Sequence, residues 1–511
     1  MKKYYKNIRM GGVITLLAVA ATAFNACDDD LVKDAPIAKA INITKVVHGS
    51  DESTGEKKGI GEDMTFSVHQ ANLDTFQIIF DGPAFFADID RDKVTSTNGL
   101  EITDVTAGGA GSKTLTVVVR IPNIRKDYEL DIPAGIVTNG QLLACDQGVK
   151  IELKALAKSA VAEAPVMATS AEAISLYKFM RDNYEKKTIS GMMANVNWNT
   201  AYADSVGDKY GRTPLINGFD YIHLLNEKEG WIDYTDITPV KEWHAKGGIV
   251  AMTWHWMVPQ ITQPESADKY KETYDNLKTE DNEESKLSYS ISSEFKASRI
   301  FKDGEVDETA WEGYVYERGM ETVTERLKLL KVAGIPVLWR PYHEASGGWF
   351  WWGEDAATFK KLWIDMFNRF KEAGLDNLIW VWTSDVNDFG KWYPGDEYVD
   401  VIGVDLYGGT PLATEDNPNP TEVIDIPALD FCSLTTKANK MLTLSECGYS
   451  SSSKSRIAKM SAQTACGISW SWFMPWYDDS KSKVEEHHAD DGWWKDAMVQ
   501  DNILWLGDYK K

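Results

Sequence analysis

Cysteine is scarce, at 5 of 511 residues. Cys145, Cys432, Cys447 and Cys466 lie far apart, with no C-x-x-C pair, which excludes a zinc ribbon and a disulfide-stapled scaffold and leaves buried free thiols as the expectation. Positive charge is also short: 54 Lys and Arg stand against 77 Asp and Glu, a formal net charge of -23. That balance speaks against nucleic acid and anionic membrane surface as partners and suits an uncharged one. Beyond the N-terminus no run is apolar enough to span a bilayer. There is no phosphate-cradling glycine loop and no G-x-S-x-G elbow. The run EEHHADDG carries His487 and His488 without H-E-x-x-H spacing, so a solvated loop is expected there, and neither metal nor cofactor is implied. Tryptophan is absent from residues 38–155, although the chain holds 20.

What is present begins at the N-terminus. Lys2, Lys3, Lys6 and Arg9 precede the apolar run GGVITLLAVAATAF, then Asn25, Ala26 and Cys27. A charged segment followed by an apolar one is the pattern of a secretory signal. A cysteine after a small residue resembles a bacterial lipobox, from which Phe24 departs, since leucine is usual there. Asp28, Asp29 and Asp30 then resemble the surface-export signal of Bacteroidetes lipoproteins. Residues 1–26 are therefore read as a lipoprotein signal peptide, Cys27 as the lipidated residue and residues 27–37 as a tether. The implied location is the outer membrane, lipid-anchored at the cell surface.

Residues 38–155 read as β. TFQIIFDG, KTLTVVVRIP and YELDIPAGIV are strand-like runs bounded by Gly, Asn, Asp and Pro, and no helical period intervenes. A small Ig-like β-sandwich is expected, acting as a spacer. The alanine-rich stretch 154–173 marks a boundary. From 165 to 511 short apolar runs alternate with helical periods. TISGMM, PLINGFD, GGIVAMTWHW, IPVLWRPYHE, LIWVWTS, VDVIGVDLYG, MLTLSECGY and GISWSWFMPW are eight candidate strands. Phe359, Leu362, Trp363, Met366, Phe367 and Phe370 recur with helical spacing before Gly374, as Val323, Leu327 and Leu330 do before Gly334. Eight βα units predict an α/β fold, a (β/α)8 TIM barrel, with a doubly wound sheet as the alternative. Residues 258–310, long and polar, follow the third strand and are expected over the catalytic face.

In such a barrel the C-terminal ends of the strands line the site. Asp220, His255, His343, Glu344, Asp405, Tyr407 and Glu446 all fall there, and Trp476 lies just past strand eight. Two glutamates on strands four and seven face each other across the mouth. Retaining glycoside hydrolysis needs such a pair, with its carboxyls about 5–5.5 Å apart. The stretch WRPYHEASGGWFWWG, residues 339–353, sets four tryptophans around one of them. Aromatic faces suit sugar rings.

Three segments, WRPYHEASGGWFWWG, YPGDEYVDVIGVDLY and LTLSECGY, resemble the signatures of glycoside hydrolase family 26, mostly β-mannanases. The resemblance covers residues 165–510 and leaves the N-terminal region outside it. It implies Glu344 as acid/base and Glu446 as nucleophile of a retaining endo-β-1,4-mannanase. It also places His343, and less firmly His255, near the cleaved bond. The substrate would be a β-mannan polysaccharide or oligosaccharide, and the chain a monomer. Arg340 and Tyr407 are the donors expected to keep Glu446 ionised. Trp349, Trp351 and Trp352 are expected to flank the scissile bond, with at least one given over to packing. Trp476 would form the floor. Asp405 is grouped with the substrate-binding residues, with a hydrogen bond to a catalytic neighbour as its expected part. A β-glucanase or β-xylanase of the family, and a non-catalytic glycan-binding lipoprotein, stay open as alternatives.

Overall fold

The computed structural model describes residues 39–510 except 69–71, 108–110, 122–123, 125, 156–159, 195–197, 226–231, 261–265, 270, 273–287, 292–294, 385–388, 408–409, 412–438, 449–454, 457–469, 478–488 and 490. Cys27, the tether, Cys432, Cys466, His487 and His488 lie outside the described residues.

The N-terminal region is all β. Strands Glu56–Gly59, Ile43–His48, Asn72–Phe80, Thr114–Ile121 and Glu101–Ala107 form one antiparallel sheet in that order. Thr65–Ser67, Val149–Lys154, Tyr128–Ile132 and Thr95–Ser96 form a second, mixed sheet, in which Thr65–Ser67 runs parallel to Val149–Lys154 and the other pairs are antiparallel. Burial alternates residue by residue along Thr114–Ile121, Tyr128–Ile132 and Val149–Lys154. Alternation with period two means each sheet turns one face to the core and one to water.

The linker then docks on the second unit. Val166 donates its backbone N–H to Asp400 (2.6 Å), whose other oxygen accepts from Trp380 N (2.8 Å). Eight parallel strands follow: β1 Thr188–Met193, β2 Ile216–Asp220, β3 Ile249–Trp254, β4 Val337–Pro341, β5 Leu378–Ser384, β6 Val401–Tyr407, β7 Met441–Gly448 and β8 Trp472–Pro475. They pair in chain order, and β1 pairs with both β2 and β8, so the sheet closes into a barrel. Nearly every strand residue is buried, as expected for strands covered on both faces. The eight apolar runs of the sequence are these eight strands.

Helix α1, Trp311–Val332, precedes β4, and helix α2, Ala356–Glu372, precedes β5. In α2 the Asp355 carboxylate accepts from the N–H groups of Ala357 and Thr358, satisfying two donors that the first turn leaves open. Phe359, Leu362, Trp363, Met366, Phe367 and Phe370 are all buried on its inner face. Each contributes about 1.5–3 kcal/mol of transfer free energy. Gly374, at φ 72°, ends the run. Part of the segment after β3 folds onto the loop after β4. Val258–Gln260 pairs with Ser288–Ser290, Ile291 O accepts from Trp351 N (2.9 Å), and Phe295 lies edge-on to Trp351.

Candidate active site

The mouth of the barrel collects the polar ends of six strands. Arg340, on β4, is buried and spends its guanidinium on four neighbours. Nε donates to Thr383 Oγ1 (3.0 Å), Nη1 to Thr253 Oγ1 (3.2 Å), and Nη2 to Asp405 Oδ2 (2.6 Å) and to Glu446 Oε1. Tyr407 Oη donates to the other oxygen of Glu446 (2.6 Å). Glu446 on β7 thus has a charged donor on one oxygen and a phenol on the other.

Glu344 sits in the left-handed region, at φ 52° and ψ 29°, and Tyr342 two residues earlier has φ 47°. Such values are uncommon for residues other than glycine and cost free energy, so the surroundings must enforce them. Thr383 O accepts from Glu344 N (3.2 Å), and Gly347 N donates back to Glu344 O (3.1 Å). The kink carries the Glu344 side chain over the barrel toward Glu446. One carboxylate oxygen each from Glu344, Asp405 and Glu446 lies within 4.8 Å of the others. Three carboxylates this close resemble a cation site, but the guanidinium of Arg340 already bonds two of them.

Burial and crowding set the protonation. Burial, then the charges of Asp405 and Glu446, push the Glu344 carboxyl up to about 9. Burial also raises Glu446, to about 7, against the pull of Arg340 and the Tyr407 hydrogen bond. Both donors expected for Glu446 are in place, and they offset part of what burial costs the charged form. The order survives, with Glu344 the more strongly proton-binding of the two.

A relay of imidazoles flanks the pair. Asp220 Oδ2 holds His255 Nδ1 (2.5 Å), and His255 Nε2 meets His343 Nε2 at 3.0 Å. Burial opposes charging of His255, but Asp220 prevails and its pKa is raised. Burial lowers His343 well below the usual range, helped by His255 and Arg340. His343 is therefore the neutral member, accepting from or donating to His255 according to the charge of the latter.

The tryptophans of residues 339–353 divide sharply. Trp349 is 47 % exposed, and its Nε1 donates to Glu344 Oε2 (3.0 Å). Its ring lies against Gly347, where any Cβ would fall 2.1 Å from a ring carbon. Trp351 is buried and donates to Trp256 O (2.8 Å). Trp352 is 0 % exposed and donates to His343 O (2.8 Å). The assignment of Trp352 to substrate is thus overturned: its ring is sealed beneath the loop, where it fixes the backbone of His343. Asp405 needs the same correction. Its side chain is sealed from solvent, which removes it from the sugar-binding group, while the expected hydrogen bond to a site neighbour holds: its oxygens meet Arg340 Nη2 (2.6 Å) and Ser445 Oγ (2.8 Å), and it also hydrogen-bonds Glu344. Trp476 is half-buried at the rim, 5.6 Å from the His255 ring and close to Tyr477.

Sequence reasoning missed a layer of hydroxyls under the site. Thr383 Oγ1 reaches Ser445 Oγ (3.2 Å), closing a ring from Arg340 through Thr383, Ser445 and Asp405 back to Arg340. Gly403 makes room for it, since a Cβ there would sit 2.4 Å from Ser445 Oγ and 2.9 Å from Thr383 Oγ1. The signal available was the serine directly before Glu446 in LTLSECGY.

The class defined by this architecture is a (β/α)8 barrel with a close pair of carboxyls at its C-terminal mouth, the arrangement of a glycoside hydrolase. The chain belongs to glycosyl hydrolase family 26, whose profile matches residues 166–500. Mannan endo-1,4-beta-mannosidase of Thermothelomyces thermophilus is 29 % identical over 323 residues, 62 % of this chain and 57 % of that protein. The namesake enzyme of Bacillus subtilis (strain 168) is 26 % identical over 238 residues, 44 % of this chain and 59 % of that one. The chain spans about half the length of the curated relatives it matches. Among solved structures, the family 26 domain of an endo-beta-mannanase/endo-beta-glucanase from Prevotella bryantii superposes with a TM-score of 0.52 at 32 % identity, covering 68 % of this chain and 100 % of that one. A beta-mannanase from a symbiotic protist of the termite Reticulitermes speratus, solved with a gluco-manno-oligosaccharide, gives 0.52 at 30 % identity, covering 69 % of this chain and 99 % of that one.

Proposed function

We propose that the chain is a retaining endo-β-1,4-mannanase acting on mannan-type polysaccharides, with Glu446 as nucleophile and Glu344 as acid, then base. The observation that carries this reading is the closeness of the Glu344 and Glu446 oxygens, within 4.8 Å, combined with the higher proton affinity of Glu344. An inverting pair stands about 6.5–9.5 Å apart to admit water between the carboxyls. The names of the relatives supply the substrate.

The chemistry then follows from the charges. A Glu446 oxygen attacks the anomeric carbon while Glu344 gives its proton to the departing glycosidic oxygen. The new ester bond removes the negative charge of Glu446. Because that charge helps to raise the pKa of Glu344, the pKa falls on ester formation. Glu344, now ionised and steadied by Trp349 Nε1, takes a proton from water, whose oxygen attacks the anomeric carbon and releases Glu446. No cofactor enters. A non-catalytic binding protein has no use for this charge arrangement. Proton NMR of the first-formed product tests the reading: the β-anomer is expected first, and initial α-anomer would sink the double displacement.

The N-terminus supports a further proposal, acylation at Cys27 and display at the outer-membrane surface, with the all-β region as spacer. Cys27→Ala is expected to shift the protein from the membrane to the soluble fraction; retention at the wild-type level would contradict it.

A further inference from the structure

The all-β region carries an apolar tip. Leu142 is 82 % exposed, and its backbone is left-handed at φ 63°. Asparagine or glycine takes that conformation at little cost, whereas a leucine there is both strained and hydrophobically exposed. Leu143 beside it is 36 % exposed and Phe85 is 41 % exposed. Phe85 belongs to the same corner: Phe85–Phe86 pairs with Val137–Thr138, and a Cβ at Gly140 would stand 3.6 Å from the Phe85 ring. The turn itself is well made. Asn139 Oδ1 accepts from the N–H groups of Gln141 (2.8 Å) and Leu143 (3.0 Å), so Leu142 is held outward by a built turn.

The same asparagine fixes where the chain enters. Asn139 Nδ2 donates to Lys39 O (2.7 Å), at the first described residue. Residues 28–38 alone separate Lys39 from Cys27. Fully extended they span about 40 Å at most, at ~3.3–3.6 Å per residue.

We propose that the tip formed by Phe85, Leu142 and Leu143 rests in the lipid surface to which Cys27 is anchored, orienting the protein on the membrane. The inference rests on the lipoprotein reading given above. The chain enters at this corner, beside Asn139, so the anchored segment leads away from the tip itself. Apolar side chains lowered into the headgroup boundary gain transfer free energy and fix an orientation that a flexible lipid anchor leaves free. The strong net negative charge, -23, directs the tip to zwitterionic headgroups.

The experiment uses the chain from residue 27 onward with Cys27→Ala, which carries neither the signal peptide nor an acyl group, and phosphatidylcholine vesicles in a co-sedimentation assay. Measurable partitioning is expected. Leu142→Asn should lower the bound-to-free ratio about tenfold or more, the scale of one leucine withdrawn from lipid. Asparagine suits the backbone at 142, so the melting temperature should hold and unfolding cannot mimic the loss. Equal partitioning of the two proteins, or none by either, would overturn the proposal. So would a dimer in sedimentation velocity that Leu142→Asn dissolves, since the tip would then serve a second copy. Intact mass of membrane-extracted wild type reads acylation separately: a missing acyl group removes the anchor and leaves the vesicle result to stand or fall alone.

Discussion

One nitrogen of Arg340, Nη2, is shared between Asp405 and Glu446, so a single positive charge serves two carboxylates while a third, Glu344, stands within 4.8 Å. One guanidinium cannot keep three buried carboxyls ionised. Like charges this close force a proton onto one of them, and it goes to the one with the weakest donors. Asp405 has Arg340 and Ser445, and Glu446 has Arg340 and Tyr407; Glu344 has the indole N–H of Trp349.

A pH profile should show this directly. Activity needs Glu446 ionised and Glu344 protonated, so kcat/KM should rise with pH as Glu446 loses its proton and fall as Glu344 does. The two limbs are placed at about 7 and about 9, both above ordinary carboxylates. They belong to the pair rather than to either residue alone. Tyr407→Phe removes a donor to the charged form of Glu446, which raises its pKa, so the acid limb should move to higher pH. An acid limb that stays still, or moves down, would contradict the role given to Tyr407.

Glu344→Ala should cost about 10²–10⁴-fold on polysaccharide, the usual contribution of a general acid. The loss should be smaller on an aryl glycoside whose leaving group needs no proton. Azide should restore part of the rate on that substrate and yield a glycosyl azide. Equal losses on both substrates, with no rescue, would count against the acid/base assignment.

Glu446→Ala should abolish turnover, by at least about 10⁴-fold, because no covalent intermediate can form. Binding of an oligosaccharide should survive and is measurable by calorimetry. Residual activity near the wild-type level would move the nucleophile elsewhere.

Much of this was legible in the sequence. Each barrel strand is a short apolar run closed by turn residues, and the polar residue at its C-terminal end needs only the barrel to become a site residue. The helix Ala356–Glu372 announces itself because its apolar spacing, its Asp355 cap and Gly374 agree. The parts that stayed hidden depend on departures from strict period. Along β6 and β7 the register runs Val404 to Leu444 and then Asp405 to Glu446, leaving Ser445 as an extra residue. A strict period of two sends Ser445 and Glu446 to opposite faces, whereas this bulge lets Ser445 brace Asp405 beside the glutamate. Nothing in WFWW separates Trp349 from Trp352 either. Both are amphipathic, and only the positive φ at Glu344 and the chain packed over the loop decide which ring meets water.

That division between tryptophans can be tested. Trp352→Ala empties a sealed space and frees His343 O, so it should destabilise the fold by about 3–5 kcal/mol, read as a lower melting temperature. Trp349→Phe removes no buried volume of that kind but deletes the donor to Glu344. That donor favours the ionised form, so the pKa of Glu344 should rise and the alkaline limb shift upward, with stability little changed. Trp352→Ala that melts like wild type, with only KM raised, would return that ring to the substrate.

The sugar preference turns on one hydroxyl. Mannose differs from glucose by an axial 2-hydroxyl beside the reacting carbon, and hydrogen bonds at that position strengthen in the oxocarbenium-like transition state. A site built for the axial group leaves polar groups unpaired when an equatorial hydroxyl arrives, so discrimination appears in kcat/KM. Around the Glu344–Glu446 pair the structure gathers His255, His343 and Tyr407, with Trp476 at the rim. Asp405 is withdrawn beneath Arg340 and offers nothing to the 2-hydroxyl. His343 is buried and its Nε2 is engaged by His255, so its influence on the sugar passes through His255. Initial rates on linear β-1,4-mannan, mixed-linkage β-glucan and xylan at equal concentration should place mannan first. His343→Ala should narrow that lead, because His255 loses the partner that positions its ring. Faster hydrolysis of glucan or xylan by the wild type would overturn the preference for mannan and leave the two-glutamate chemistry untouched.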